Sequence, residues 1–157
     1  MLREPNAGPE ADPREQRWWQ SSQHRCLRCK TVPLTELGSP GGGIAFFECP
    51  ECQRHYALQR GKQLTFRWMH PISLVLYDVQ FDESPPAGRA EEVADAFIRS
   101  RPEHLEYILR EIRLELEEPT QQVRDILDCR GSESELRTFL RSVADRIATA
   151  LTEARDE

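Results

Sequence analysis

Cys26 and Cys29 are separated by two residues, as are Cys49 and Cys52, and nineteen residues lie between the two pairs. A C-x-x-C turn points two thiols to one side, so two such turns facing each other supply four sulfur ligands to one tetrahedral ion. A gap of this length falls in the range expected for a shared zinc site. The chain has five cysteines, an odd number that makes a poor disulfide framework and a good metal framework, as expected in a reducing compartment. Four thiolates close the coordination shell. No position is left for an activated water, so the single ion such a site holds is expected to be structural.

Other residues that suggest chemistry have plainer explanations. His104, Leu105 and Glu106 form the H-x-E triplet of nucleobase deaminases, but they follow the cysteines, and Pro50 lies inside the second turn instead of ahead of it. His24 and His55 flank the two turns. With four cysteines completing the shell, they are expected to support a thiolate by hydrogen bonding or to face solvent. His70, just before Pro71, is expected at a turn or strand end. Cys129 has no ligand motif around it and is expected to be a half-buried structural thiol. The pair Glu117 and Glu118 is expected on a charged helix face. No nucleophile elbow, P-loop, dinucleotide fingerprint or H-E-x-x-H motif occurs, and the chain is expected not to be an enzyme.

The segments "CLRCK" and "CPECQ" together resemble the zinc ribbon, a fold group in which two C-x-x-C knuckles sit at the ends of β-hairpins. The resemblance covers residues 23–68, under a third of the chain. It implies that Cys26, Cys29, Cys49 and Cys52 are the ligands of one zinc ion. Many knuckles of that group carry glycine after the second cysteine, where this sequence has Lys30 and Gln53. Rubredoxin-like carriers also use two such knuckles, which makes iron the alternative metal; the missing glycines and the long helical remainder favour zinc. A structural zinc site contributes on the order of 10 kcal/mol in small peptides at neutral pH, enough to decide whether so small a unit folds.

The elements that must hold these cysteines are legible in outline. Residues 1–22 are Pro-rich, charged and without periodicity, and are expected to be a disordered leader with no secretory signal. Trp18 and Trp19 are the exception, expected to dock on the folded body. Residues 23–81 read as the ribbon and a following strand. Within them the cluster Gly38–Gly43 marks a turn or loop, "IAFFEC" and "RHYALQ" read as short strands, and Arg60–Lys62 turns the second back into "QLTFRWM". The stretch Pro71–Phe81 is β-branched and aromatic-rich and is expected to be a buried strand. Residues 82–89, "DESPPAGR", form a linker, and residues 90–157 read as an acidic helical bundle.

In that bundle a short helix over Ala90–Arg99 is followed by one opened by Pro102, with Leu105, Ile108, Ile112 and Leu116 along one face. Pro119 starts a third helix containing Val123, Ile126 and Leu127, which Gly131 can end. Ser132 and Glu135 form a capping box for the last helix, where Leu136, Phe139, Leu140, Val143, Ile147 and Leu151 recur at helical spacing. The fold expected is α+β, an N-terminal β-rich zinc ribbon followed by a C-terminal bundle of three or four helices. The longest apolar-leaning run, Ile72–Tyr77, is far short of the roughly 18 to 20 residues of a membrane span. A cytoplasmic location is expected.

Charge is divided along the chain. Residues 23–70 hold seven basic and three acidic residues, a net +4, while residues 71–157 hold eleven basic and twenty acidic, a net −9. Basic residues interleaved with Phe46, Phe47, Tyr56, Phe66 and Trp68 are ingredients of a nucleic-acid surface, with Arg54, Lys62 and Arg67 the candidate contacts. A zinc ion with four thiolates carries −2, however, which reduces the metal-bound ribbon to about +2. Docking of the basic part on the acidic part is the simpler explanation of the asymmetry. The expected function is that of a zinc-ribbon adaptor or regulatory protein with a protein partner, for instance within a nucleic-acid-handling assembly. The alternatives are direct binding of DNA or RNA and a thiol-based redox response.

Overall fold

The computed structural model describes residues 18–21 and 24–157. Most of the expected leader therefore lies outside the described residues. The fold is α+β. An antiparallel sheet of four strands in sequential order comes first: β1 (Thr35–Gly41), β2 (Ile44–Glu48), β3 (His55–Gln59) and β4 (Thr65–Phe66). Helices follow: α1 (Pro71–Tyr77), α2 (Arg89–Ser100), α3 (Leu105–Glu117), α4 (Val123–Ile126) and α5 (Glu133–Arg155).

Strands β2 and β3 alternate as a half-buried sheet requires. Ala45 and Phe47 point inward from β2, Tyr56 and Leu58 from β3, and the register pairs Ala45 with Leu58 and Phe47 with Tyr56. The glycine cluster does not stop β1, which runs on to Gly41. Register shifts around Gly38 absorb the irregularity, and Gly38 takes a φ of 105° that a side chain would disfavour. The reversal itself falls at Gly42 and Gly43, both at positive φ, the geometry of a hairpin turn whose twist matches its strands.

The stretch expected as a buried strand, Pro71–Phe81, is instead helix α1 through Tyr77. Pro71 and Ser73 are buried in its first turn, and the buried aliphatic residues Ile72, Val75 and Leu76, with Val79 just past its end, are spaced i, i+3, i+4, i+7, so the helical period outweighs the β-branched composition. The start is well made. Pro71 occupies the first helical position, and the Nδ1 of His70 accepts a hydrogen bond from the Ile72 backbone N–H at 3.2 Å. Tyr77 and Phe81 face outward.

Helices α2 and α3 both pack against α5, joined to one another through a 3-10 turn at Pro102–His104. The third helix, α4, is a single turn that ends before Asp128, whose φ is +51°, and not at Gly131. Ser132 caps α5 as expected, its Oγ accepting from the Glu135 N–H at 3.2 Å, while Glu135 Oε2 accepts from the Ser132 hydroxyl at 3.1 Å. Along α5 the residues Leu136, Phe139, Leu140, Val143 and Ile147 are buried and Leu151 is partly so. Helix α1 lies against α3, and α4 touches both β4 and α5. One continuous cluster of buried residues thus runs from Cys26 through the sheet to Ile147. Among the described residues no helix is long and apolar enough to cross a membrane.

At the N-terminal side, Trp18–Ser21 form a 3-10 turn docked on the body. Trp19 Nε1 donates to Glu36 Oε1 at 2.5 Å, and His24 Nε2 donates to the Trp19 carbonyl at 3.2 Å.

Candidate metal centre

Each C-x-x-C segment folds into a tight turn with the same hydrogen bonds. The Lys30 N–H donates to the Cys26 carbonyl at 2.8 Å, and the Gln53 N–H donates to the Cys49 carbonyl at 2.8 Å. The first turn is closed by a bridge between Arg25 and Pro33, and the second joins β2 to β3. Lys30 and Gln53 have φ values of 63° and 61°, the left-handed conformation that glycine adopts freely. These are the two positions where the ribbon resemblance leads one to expect glycine. The geometry is kept with ordinary side chains, at a cost of roughly 1 to 2 kcal/mol each.

The two turns bring all four expected sulfurs together. The Sγ atoms of Cys26, Cys29, Cys49 and Cys52 lie within 4.8 Å of one another, and none is in a disulfide. Two separations across the turns are shorter, 3.6 Å for Cys26 to Cys52 and 3.9 Å for Cys29 to Cys49. Four thiolates about 2.3 Å from a central ion stand about 3.8 Å apart at the corners of a tetrahedron, so the cluster is the right size for one metal ion. Burial would raise the Cys26 thiol, but donation from the Cys29 N–H and the Tyr56 hydroxyl brings it down to about 7. Cys29 is pushed up to about 12 by burial and by the neighbouring sulfurs, and burial raises Cys49 as well. Thiolates this close repel one another, and a bound divalent ion would remove that repulsion. His24 and His55 are not in the cluster: His24 meets the Phe47 ring edge-on, and His55 faces Glu48 at 3.3 Å on the surface.

Around the sulfurs the sheet supplies an ordered wall. Tyr56 is fully buried, its hydroxyl 3.2 Å from Cys26 Sγ, and burial followed by the sulfur beside it raises its pKa. Phe66 stacks on Tyr56, and the His70 ring stacks on Phe66 at 3.9 Å. Because His70 Nδ1 accepts from Ile72, its Nε2 carries the proton and donates to Glu111 Oε2 at 3.3 Å. Burial accordingly holds His70 below its usual pKa, in the neutral form, against the pull of Glu111.

Both cysteine turns reach α3 through an arginine. Arg28, inside the first turn, donates to Glu115 Oε2 at 2.5 Å and to the Glu118 carbonyl at 2.7 Å. Arg54, just past the second turn, binds Glu111 with two parallel bonds of 2.7 and 3.0 Å. Glu111 and Glu115 are only 4% and 1% exposed, although they are carboxylates on a helix. Burial alone would raise Glu111, yet His70 and Arg54 hold it down at about 2. Glu115 also accepts from the Thr120 N–H at 2.7 Å and from its hydroxyl.

The three candidate nucleic-acid contacts are all engaged within the chain. Arg54 is in the buried pair with Glu111, Lys62 Nζ is 2.6 Å from Asp128 Oδ2, and the Arg67 guanidinium lies 4.0 Å from the centre of the Phe46 ring. Arg28–Glu115, Arg54–Glu111 and Lys62–Asp128 are ionic contacts that join the basic part of the chain to the acidic part. Cys129 is buried before α5, and burial raises it to about 11. His104 and Glu106 sit on the 3-10 turn and the first turn of α3, and are not in the sulfur cluster.

Arg28, His70, Glu111 and Glu115 were not among the expected site residues. One signal in the sequence pointed to two of them: Glu111 and Glu115 are four residues apart and fall between Ile108, Ile112 and Leu116, on the stripe that faces the core. A carboxylate pair there requires cations from elsewhere in the chain. No family model matches the chain, and no curated protein and no solved structure matches it either.

Proposed function

We propose that Cys26, Cys29, Cys49 and Cys52 bind one zinc ion in a closed structural site of the zinc-ribbon type, and that the protein is a non-enzymatic adaptor or regulatory module for a protein partner. The observation that carries the metal assignment is the meeting of four free thiols within 4.8 Å. Zinc suits it because the ion imposes no geometry of its own and tolerates a full thiolate shell. When bound it would neutralise thiolate charge and tie the two turns together. The placement of the turns, one within the Arg25–Pro33 bridge and one between β2 and β3, supports the ribbon reading.

A protein partner is favoured over nucleic acid because Arg54 is in a buried ion pair with Glu111 and Arg67 lies over the Phe46 ring, while large apolar side chains are not covered. Trp68 and Met69 precede α1 and are 59% and 61% exposed, Tyr77 and Phe81 follow along and beyond that helix, and Tyr107 stands on α3. Aromatic residues and Met are enriched at protein–protein interfaces, which supports this reading. The test uses the zinc-loaded protein as bait, beside a Trp68→Ala, Met69→Ala variant. A protein retained by the wild type and lost by the variant is expected. Binding of single- or double-stranded DNA or RNA at low salt that weakens when Lys62 and Arg67 are neutralised would overturn the assignment in favour of a nucleic-acid module.

A further inference from the structure

We propose that α3 belongs to the metal centre: Glu111 and Glu115 hold the two ligand turns through Arg54 and Arg28, so that retention of the ion and docking of the sheet on the helices form one coupled equilibrium. This rests on the assignment of the four cysteines as a zinc site. Arg28 lies between two ligands in the chain, and the Arg54 carbonyl accepts the Cys49 N–H at 3.0 Å, so both arginines are built into the turns that present the sulfurs. Their carboxylate partners are four residues apart on one helix, a spacing that puts them on the same face and makes α3 a rigid bar across both turns. Each carboxylate is also anchored on its far side, Glu111 to His70 at the start of α1 and Glu115 to Thr120 after α3.

The strained Lys30 and Gln53 backbones give each turn a reason to open once the ion is gone. Opening withdraws both guanidinium groups and leaves two carboxylates buried without cations, a state that water must enter to relieve. Loss of the ion therefore loosens the sheet from the helices. By reciprocity, undocking the helices loosens the ion by the same factor by which loss of the ion loosens the docking, and removing the carboxylates favours the undocked state.

The experiment measures zinc affinity of the full chain by competition with a chromophoric chelator, for the wild type, for Glu111→Gln with Glu115→Gln, and for Leu140→Ala. The paired variant is expected to hold zinc about 10- to 100-fold more weakly, the range seen when groups that orient metal ligands are removed. Leu140→Ala opens a cavity on α5, away from the turns, and is expected to leave affinity within about 2-fold while lowering thermal stability. If the paired variant folds poorly, Glu115→Gln alone tests one arm, since its carboxamide oxygen still accepts from Thr120. Equal affinity in the carboxylate variants and the wild type would overturn the coupling and leave the metal site standing. Equal weakening by Leu140→Ala would overturn it too, by showing that affinity follows global stability. A wild type that takes up no zinc would instead overturn the site itself.

Discussion

Replacing Glu111 by glutamine keeps its shape and removes its charge, and both oxygens of that carboxylate are in use. Oε1 accepts from Arg54 Nη2 at 2.7 Å; Oε2 accepts from Arg54 Nε at 3.0 Å and from His70 Nε2 at 3.3 Å. A carboxamide has one acceptor oxygen, so in either orientation its N–H2 group faces at least one donor of Arg54. The magnitude follows from the titration of the carboxyl, which moves from 4.5 to about 2. At about 1.4 kcal/mol per unit, the fold prefers the ionised group over a neutral one by about 3 kcal/mol. Removing one partner of a buried ion pair costs about 3 to 5 kcal/mol, in agreement. Because the folded carboxyl is depressed, this stability is complete above 4.5 and is lost as pH falls toward 2. His70 acts in the same direction: held neutral in the fold, it withdraws stability as pH falls below its ordinary value of 6.5, where the unfolded chain takes up a proton. Denaturant unfolding of zinc-saturated wild type and Glu111→Gln at pH 7 is expected to show the full difference, roughly constant between about pH 6 and 8 and shrinking below about 4.5. A difference under about 1 kcal/mol at pH 7, or one that grows on acidification, would refute the reasoning.

Three other changes test separate parts of the fold. Lys30→Gly and Gln53→Gly relieve a left-handed backbone at the cost of some chain entropy, and each is expected to raise stability by up to about 1 kcal/mol in thermal unfolding of the metal-bound protein; a loss would contradict the conformations at 63° and 61°. Tyr56→Phe removes the hydroxyl beside Cys26 and is expected to weaken zinc binding about 10-fold in chelator competition with the core intact. Ser132→Ala removes the cap of α5 and is expected to cost about 1 kcal/mol in denaturant unfolding without changing metal affinity.

The four sulfurs were legible because both turns are local: two residues between ligands is a short-range pattern that needs no knowledge of the fold. Strands β2 and β3 and the cap of α5 were legible for the same reason. Helix α1 was misread because composition was weighed above period. Val75, Leu76 and Val79 suit a strand by type, but with Ile72 they repeat at helical spacing, and His70 with Pro71 forms a helix start. The glycine cluster hid the continuation of β1, since a bulge looks like a break until its partner strand is known. The ties from the turns to α3 were not legible. Arg28 and Glu115 are 87 residues apart, Arg54 and Glu111 are 57 apart, and charges on a helix ordinarily face water.

The most direct test is X-ray absorption at the metal edge of the protein purified with its ion, together with metal-to-protein stoichiometry. One zinc per chain surrounded by four sulfurs at about 2.3 Å is expected, with the signal lost when Cys26 and Cys49 are replaced by serine. A folded protein that carries neither zinc nor iron, or a zinc ion with nitrogen or oxygen ligands in place of any of the four sulfurs, would contradict the assignment of Cys26, Cys29, Cys49 and Cys52.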